Sequence, residues 1–202
     1  MKKIKICGLK RLEDVGYVNE SMPDYAGFVF AKSRRQVDMS CAEELCNALD
    51  KNIRKVGVFV NETLENIRLI SEVCRLDVVQ LHGEESPGFA QALPIETWKA
   101  FRIRTKEDLK RIEEYPVEGI VLDAFKKDCH GGSGEAFNWD YLKGLQSEKK
   151  IFLAGGIHLG NIGQALKIAG IEGIDVSSGV ERDGKKDPVK IQKIIDEVRS
   201  VG

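Results

Sequence analysis

Short apolar, β-branched runs recur along the chain: IKIC at 4–7, AGFVF at 26–30, VGVFV at 56–60, DVVQL at 77–81, TWKAF at 97–101, GIVLD at 119–123, IFLAG at 151–155 and GIDVS at 173–177. Most are apolar at successive positions rather than alternate ones. A strand covered on both faces reads this way, and a parallel sheet flanked by helices is the usual cause. Between the runs, apolar residues return at spacings of three and four. In TLENIRLISEVC (63–74) they are Leu64, Ile67, Ile70 and Cys74, with Thr63 and Asn66 forming an imperfect capping box. In DPVKIQKIIDEV (187–198), Asp187 reads as the N-cap and Pro188 as the first helical residue. Weaker helical signals lie at 11–20, 40–50, 105–114, 138–146 and 160–168, and a turn or two at 86–93.

Eight strand–helix units in 202 residues allow about 25 residues per unit, compact but feasible with connections of a few residues. No linker rich in Pro, Gly or Ser divides the set, so one domain over 1–202 is expected. Alternation of this kind leaves an open doubly wound sheet or a closed barrel. The count of eight favours an α/β fold of the (β/α)8 barrel type, a trimmed one, since such barrels run to about 250 residues.

Composition removes several function classes. A formal net charge of −1 gives no basic excess for nucleic acid, and no stretch approaches the roughly 18 apolar residues of a membrane span. The start, MKKIKICGL, lacks the apolar core of a signal peptide, so a cytoplasmic protein is expected. The five cysteines form no C-x-x-C pair and no even set, which argues against a disulfide framework or a zinc knuckle.

In a barrel, chemistry sits at the C-terminal ends of the strands. There the chain places Gly155 and Gly156 of LAGGI, and Ser177, Ser178 and Gly179 of DVSSGVE. Glycines let backbone N–H groups approach an anion, and barrels often hold phosphate between the loops after strands 7 and 8, so a phosphorylated small molecule is the expected ligand. Neither a Walker A motif nor G-x-G-x-x-G is present. A third glycine cluster, CHGGSGEAFNW (129–139) with Gly132, reads either as a loop over the ligand or as a plain connector.

Asp123 ends GIVLD, where burial at a barrel rim would suit a general acid, although a structural acceptor fits the same position. Cys7 ends its strand directly before Gly8; it is either a small buried hydrophobe or a thiol at the mouth of a site. Arg35 can pair with a substrate carboxylate or belong to a solvated loop, and His82 can orient a ligand or bond the strand end. His82, Asp123 and His158 show no metal-ligand spacing, so no metal is expected.

Taken together, KICGL, GFVF with SRR, VQLHG, VLDAF, GGSGEAFNW, LAGGI with Asn161, and DVSSGVE with GKKD closely resemble the phosphoribosylanthranilate isomerases of tryptophan biosynthesis, through nearly the whole chain. The resemblance implies a (β/α)8 barrel that needs no cofactor and converts N-(5-phosphoribosyl)anthranilate to 1-(2-carboxyphenylamino)-1-deoxyribulose 5-phosphate. It implies Cys7 as general base, Asp123 as general acid, Arg35 as partner of the anthranilate carboxylate, and backbone amides after strands seven and eight around the phosphate. The implied partner is this small molecule alone, bound by a monomer or a homodimer. Three positions depart from the family pattern: Gly160 stands for proline, Ser133 for threonine and Asn138 for aspartate.

Two other phosphate-binding barrels compete. An indole-glycerol-phosphate synthase would need lysines inside the barrel, and only Lys99 lies inside a predicted strand near its end; a ribulose-phosphate 3-epimerase would need a metal set of histidines and aspartates. A barrel that senses a sugar phosphate without turnover is the reading from a different class, and Cys7 with Asp123 argues against it.

Overall fold

Every one of the apolar runs is a strand. In the computed structural model, which describes residues 1–124, 139–142 and 144–201, the strands are β1 (Lys3–Cys7), β2 (Tyr25–Val29), β3 (Arg54–Phe59), β4 (Val78–Leu81), β5 (Thr97–Ile103), β6 (Gly119–Ala124), β7 (Lys150–Leu153) and β8 (Gly173–Val176). Each pairs in parallel with the next in the chain, and β8 returns to pair with β1, with Ile4 opposite Ile174. The closed barrel expected from the count of eight is therefore present.

The helices pack outside. They are α1 (Leu12–Ser21), α2 (Met39–Ala48), α3 (Leu64–Val73), α4 (Pro87–Gln91), α5 (Ile162–Ala165) and α6 (Pro188–Ser200). Thr63 caps α3 by accepting the Asn66 N–H at 3.2 Å, one half of a capping box. Asp187 caps α6 through the Lys190 N–H at 3.0 Å, and Pro188 opens the helix as its sequence suggests. Three segments differ from expectation. Residues 105–114 form a 3-10 helix, Lys106–Glu114; the signal at 138–146 yields one 3-10 turn, Trp139–Leu142; and that at 160–168 shrinks to the single turn of α5. A small antiparallel hairpin, β9 (Glu181–Arg182) with β10 (Lys185–Lys186), precedes α6 and was not anticipated. No helix among the described residues is long and apolar enough to cross a membrane.

Alternation along each strand sorts its side chains into two environments. Ile4 and Ile6 join the apolar layer between barrel and helices, whereas Lys5 and Cys7 point inward. The bottom of the interior is an aromatic plug. Trp98 stacks on Phe152 with centroids 4.4 Å apart, and Tyr25 meets both edge-on. Above the plug the filling turns polar, with Lys5, Gln80 and Asp175 all buried. The cavity opens above that layer.

Candidate active site

The strand ends surround a cavity of about 600 Å³. Its walls include Cys7 from β1, Arg35 from the loop after β2, Gln80 and His82 from β4 and its end, and Asp123 from β6. Gly155, Gly156, Ser177 and Ser178 close the side beyond the ends of β7 and β8. Most residues anticipated from the chain thus meet in one place.

Cys7 sits at the end of β1, where Gly8, with φ of +82°, turns the chain away. A side chain at residue 8 would also collide with Arg35 Cδ, so glycine is required on both counts. Burial pushes the Cys7 thiol above its ordinary pKa, and the nearby ammonium groups of Lys5 and Lys186 offset only part of that rise. At rest the group is a thiol with cations at hand.

Lys5 is the centre of the polar layer and is 0% exposed. Its Nζ donates to Asp175 Oδ2 at 2.7 Å and to Gln80 Oε1 at 2.8 Å. Burial works against this ammonium, yet the Asp175 carboxylate and the Cys7 sulfur outweigh it and hold its pKa above the usual lysine value. This corrects the expectation about interior lysines: Lys99 lies on the outer face of β5, bound to Glu85 at 3.1 Å and to the Gly83 carbonyl at 2.7 Å. There it steadies the loop that follows His82.

Asp123 retains 28% side-chain exposure, so the deep burial expected at this strand end is absent. Its Oδ2 lies 3.2 Å from His82 Nε2, and His82 Nδ1 lies 3.0 Å from Gln80 Nε2. His82 therefore does both things open to it: one ring nitrogen meets Gln80 on its own strand, and the other faces the carboxyl across the mouth. On β5, register places Arg102 beside Asp123, and Arg102 lines the same cavity.

Arg35 is not a free loop arginine. Its Nε and Nη2 grip Glu181 at 2.6 and 2.9 Å, and Lys186 reaches the same carboxylate at 3.1 Å. Burial alone would lift the Glu181 pKa, but Arg35 and Lys186 together bring it below the ordinary carboxylate range. Arg35 also lines the cavity, and its guanidinium has more N–H groups than Glu181 takes up.

Gly155 and Gly156 both take positive φ, 78° and 70°, a turn that side chains would strain. The amides of Gly155, Gly156 and Ser178 find no acceptor among the described residues, which suits them to an anion. Two neighbours play other parts. Ser177 Oγ donates to the Cys7 carbonyl at 2.9 Å, fixing the end of β1, and Gly179 packs against the backbone of Ile157 outside the main cavity. Gly132 lies outside the described residues.

Where the family pattern has proline, the Gly160 N–H donates to His158 Nδ1 at 3.0 Å, a bond proline could not make. Asn161 holds the same turn through the Gly156 carbonyl at 3.0 Å. His158 is thereby kept away from His82 and Asp123, and among the described residues no cluster of His, Cys, Asp or Glu is arranged to hold a metal ion.

Sequence reasoning passed over Lys5, Asp175 and Glu181. Asp175 is the most telling: it is 8% exposed and lines the cavity, and its Oδ1 is buried with no hydrogen-bond partner among the described residues. Such an orphaned acceptor calls for a ligand donor.

The family model for N-(5'-phosphoribosyl)anthranilate (PRA) isomerase matches residues 4–197. The chain belongs to this family. The PRA isomerase of Thermoanaerobacter sp. (strain X514) is 46% identical over 202 residues, covering 100% of both chains. The PRA isomerase structure from Thermotoga maritima is 34% identical and superposes with a TM-score of 0.90, over 99% of this chain and 100% of that one. A further PRA isomerase structure, 32% identical with a TM-score of 0.84 over 99% of this chain and 100% of its own, is a complex with reduced 1-(o-carboxyphenylamino)-1-deoxyribulose 5-phosphate. As a PRA isomerase, the chain is an enzyme of tryptophan biosynthesis.

Proposed function

We infer that the chain rearranges N-(5-phosphoribosyl)anthranilate to 1-(2-carboxyphenylamino)-1-deoxyribulose 5-phosphate with Asp123 as acid and Cys7 as base. The observation that carries this reading is the meeting of both groups in one cavity that also holds unpartnered backbone amides. The phosphate goes to the amides of Gly155, Gly156 and Ser178, which anchors the ribose between the two groups.

Asp123 protonates the furanose ring oxygen as the bond from that oxygen to C1 breaks, leaving a cationic Schiff base. The positive nitrogen acidifies the C2 proton. Cys7 then removes it as a thiolate, and the resulting enolamine takes a proton at C1 while its C2 hydroxyl gives one up, leaving the ketone. A thiol whose pKa is raised by burial is scarce as thiolate at neutral pH, so the substrate's own cation and the adjacent Lys5 are what make it a workable base. Asp175 Oδ1 accepts a ribose hydroxyl, and Arg35, oriented by Glu181, takes the anthranilate carboxylate. We place the enzyme in the cytoplasm, as a member of a biosynthetic enzyme family.

The test is the loss of substrate fluorescence with purified protein in the presence of a chelator. Turnover should persist in chelator and fall by at least ~100-fold in Cys7→Ala and in Asp123→Asn, the scale expected of an acid or base. Full activity in either variant overturns the role given to that residue.

A further inference from the structure

We propose that Gln80 is a positioning residue that fixes His82 as the Nε2–H tautomer, and so holds the carboxyl of Asp123 by one oxygen with the other left for substrate. This rests on the reading of Asp123 as the acid.

The argument starts at Lys5. An ammonium only donates, and Lys5 Nζ lies 2.8 Å from one end of the Gln80 amide, so that end is the oxygen. The reverse orientation would set the amide NH2 against the ammonium in a site where Gln80 is 1% exposed, leaving both donors unmet. The Gln80 nitrogen therefore faces the other way, 3.0 Å from His82 Nδ1. An amide nitrogen also only donates, so Nδ1 must be the bare nitrogen of the ring. The single ring proton is then on Nε2, 3.2 Å from Asp123 Oδ2, and it donates there.

A chain of fixed donors thus runs from the Lys5–Asp175 pair to the proposed acid. Its chemical result is asymmetry in the carboxyl. Oδ2 is occupied by an N–H that stays in place whether the group is ionised or not, so the transferable proton resides on Oδ1. When that proton leaves for the ring oxygen, the charge left behind already has a donor on it. A histidine protonated on Nδ1 instead would present a lone pair to Oδ2, repelling the carboxylate and, in the acid form, drawing its proton onto Oδ2 and away from the substrate.

Two measurements test this. In wild-type protein labelled with 15N at histidine, the His82 resonances, assigned among three histidines by their loss in His82→Gln, should show Nδ1 bare and Nε2 protonated at pH 8. A protonated Nδ1 overturns the proposal outright, whatever the role of Asp123. The second measurement uses Gln80→Glu, whose carboxylate can still accept from Lys5 but demands a proton from Nδ1. Its kcat should fall by at least ~10-fold with KM changed by less than ~3-fold, a part of the general-acid effect. In a His82→Gln background, where the side-chain amide donates to Asp123 without any tautomer, adding Gln80→Glu should cost less than ~3-fold. Equal losses in both backgrounds would make Gln80 merely structural and sink the idea. If instead Asp123→Asn retains full activity, the acid assignment fails while the tautomer measurement stands.

Discussion

Cys7 on β1 and Gly27 on β2 are register partners, and the thiol sulfur occupies the space where any other residue at 27 would carry its Cβ. An added Cβ would stand 2.7 Å from Sγ and 3.1 Å from Lys5 Cε. Gly27→Ala should therefore displace both groups. The expected result is a stability loss of about 1–3 kcal/mol from overpacking, together with a fall in kcat of at least ~10-fold. Urea unfolding and the fluorescence assay read the two separately; a variant with unchanged kcat would show that the thiol tolerates displacement.

The reactivity of Cys7 toward iodoacetamide should follow its thiolate fraction. Because burial holds its pKa above the ordinary value despite Lys5 and Lys186, the fraction grows about tenfold per pH unit and keeps growing past about pH 8.5, where an unperturbed thiol levels off. Peptide mapping of the alkylated protein isolates this site from the other cysteines. A plateau near neutral pH would mean that the two lysines outweigh burial.

In the proposed reading Arg35 serves Glu181 and the substrate carboxylate at once, which needs a planar fork. In Arg35→Lys, KM should rise about 10- to 100-fold, the worth of one charged hydrogen bond, with kcat reduced far less. Arg102→Ala, on the far side of Asp123, should raise KM by a smaller factor. The opposite ranking in steady-state kinetics would move the carboxylate to the β5 side of the mouth.

The Lys5–Asp175 pair is a buried charge pair and should behave as one. Lys5→Met leaves an unpaired carboxylate and should cost about 3–5 kcal/mol, whereas Lys5→Met with Asp175→Leu should recover most of that loss. Activity should stay low in both. Denaturant titration decides it: a double variant no more stable than the single one would mean that packing, not charge, governs the layer.

How far the chain could be read in advance varies by residue. The strands were legible because runs such as VGVFV and GIVLD are apolar on both faces, and α6 because Asp187 and Pro188 mark its start. Which face of KIKIC turns inward was not legible, because alternation usually places the polar face in water, whereas in this barrel Lys5 and Cys7 turn inward while Ile4 and Ile6 face the helices. The hairpin carried a signal that was available, an Asp183–Gly184 pair with φ of 52° and 74°, but strands of two residues leave no apolar pattern to flank it. Glu181 could not be foreseen as the anchor of Arg35, since they lie 146 positions apart and only barrel closure joins them. The same holds for Gln80, which reads as an ordinary polar residue at a strand end until Lys5 appears beneath it.

The stacked rings of Trp98 and Phe152, with Tyr25 against them, seal the barrel from below. The cavity is consequently a blind well. With the proposed reaction placed there, substrate enters and product departs through the same doorway, so product lingering there excludes the next substrate, and inhibition by product should be purely competitive.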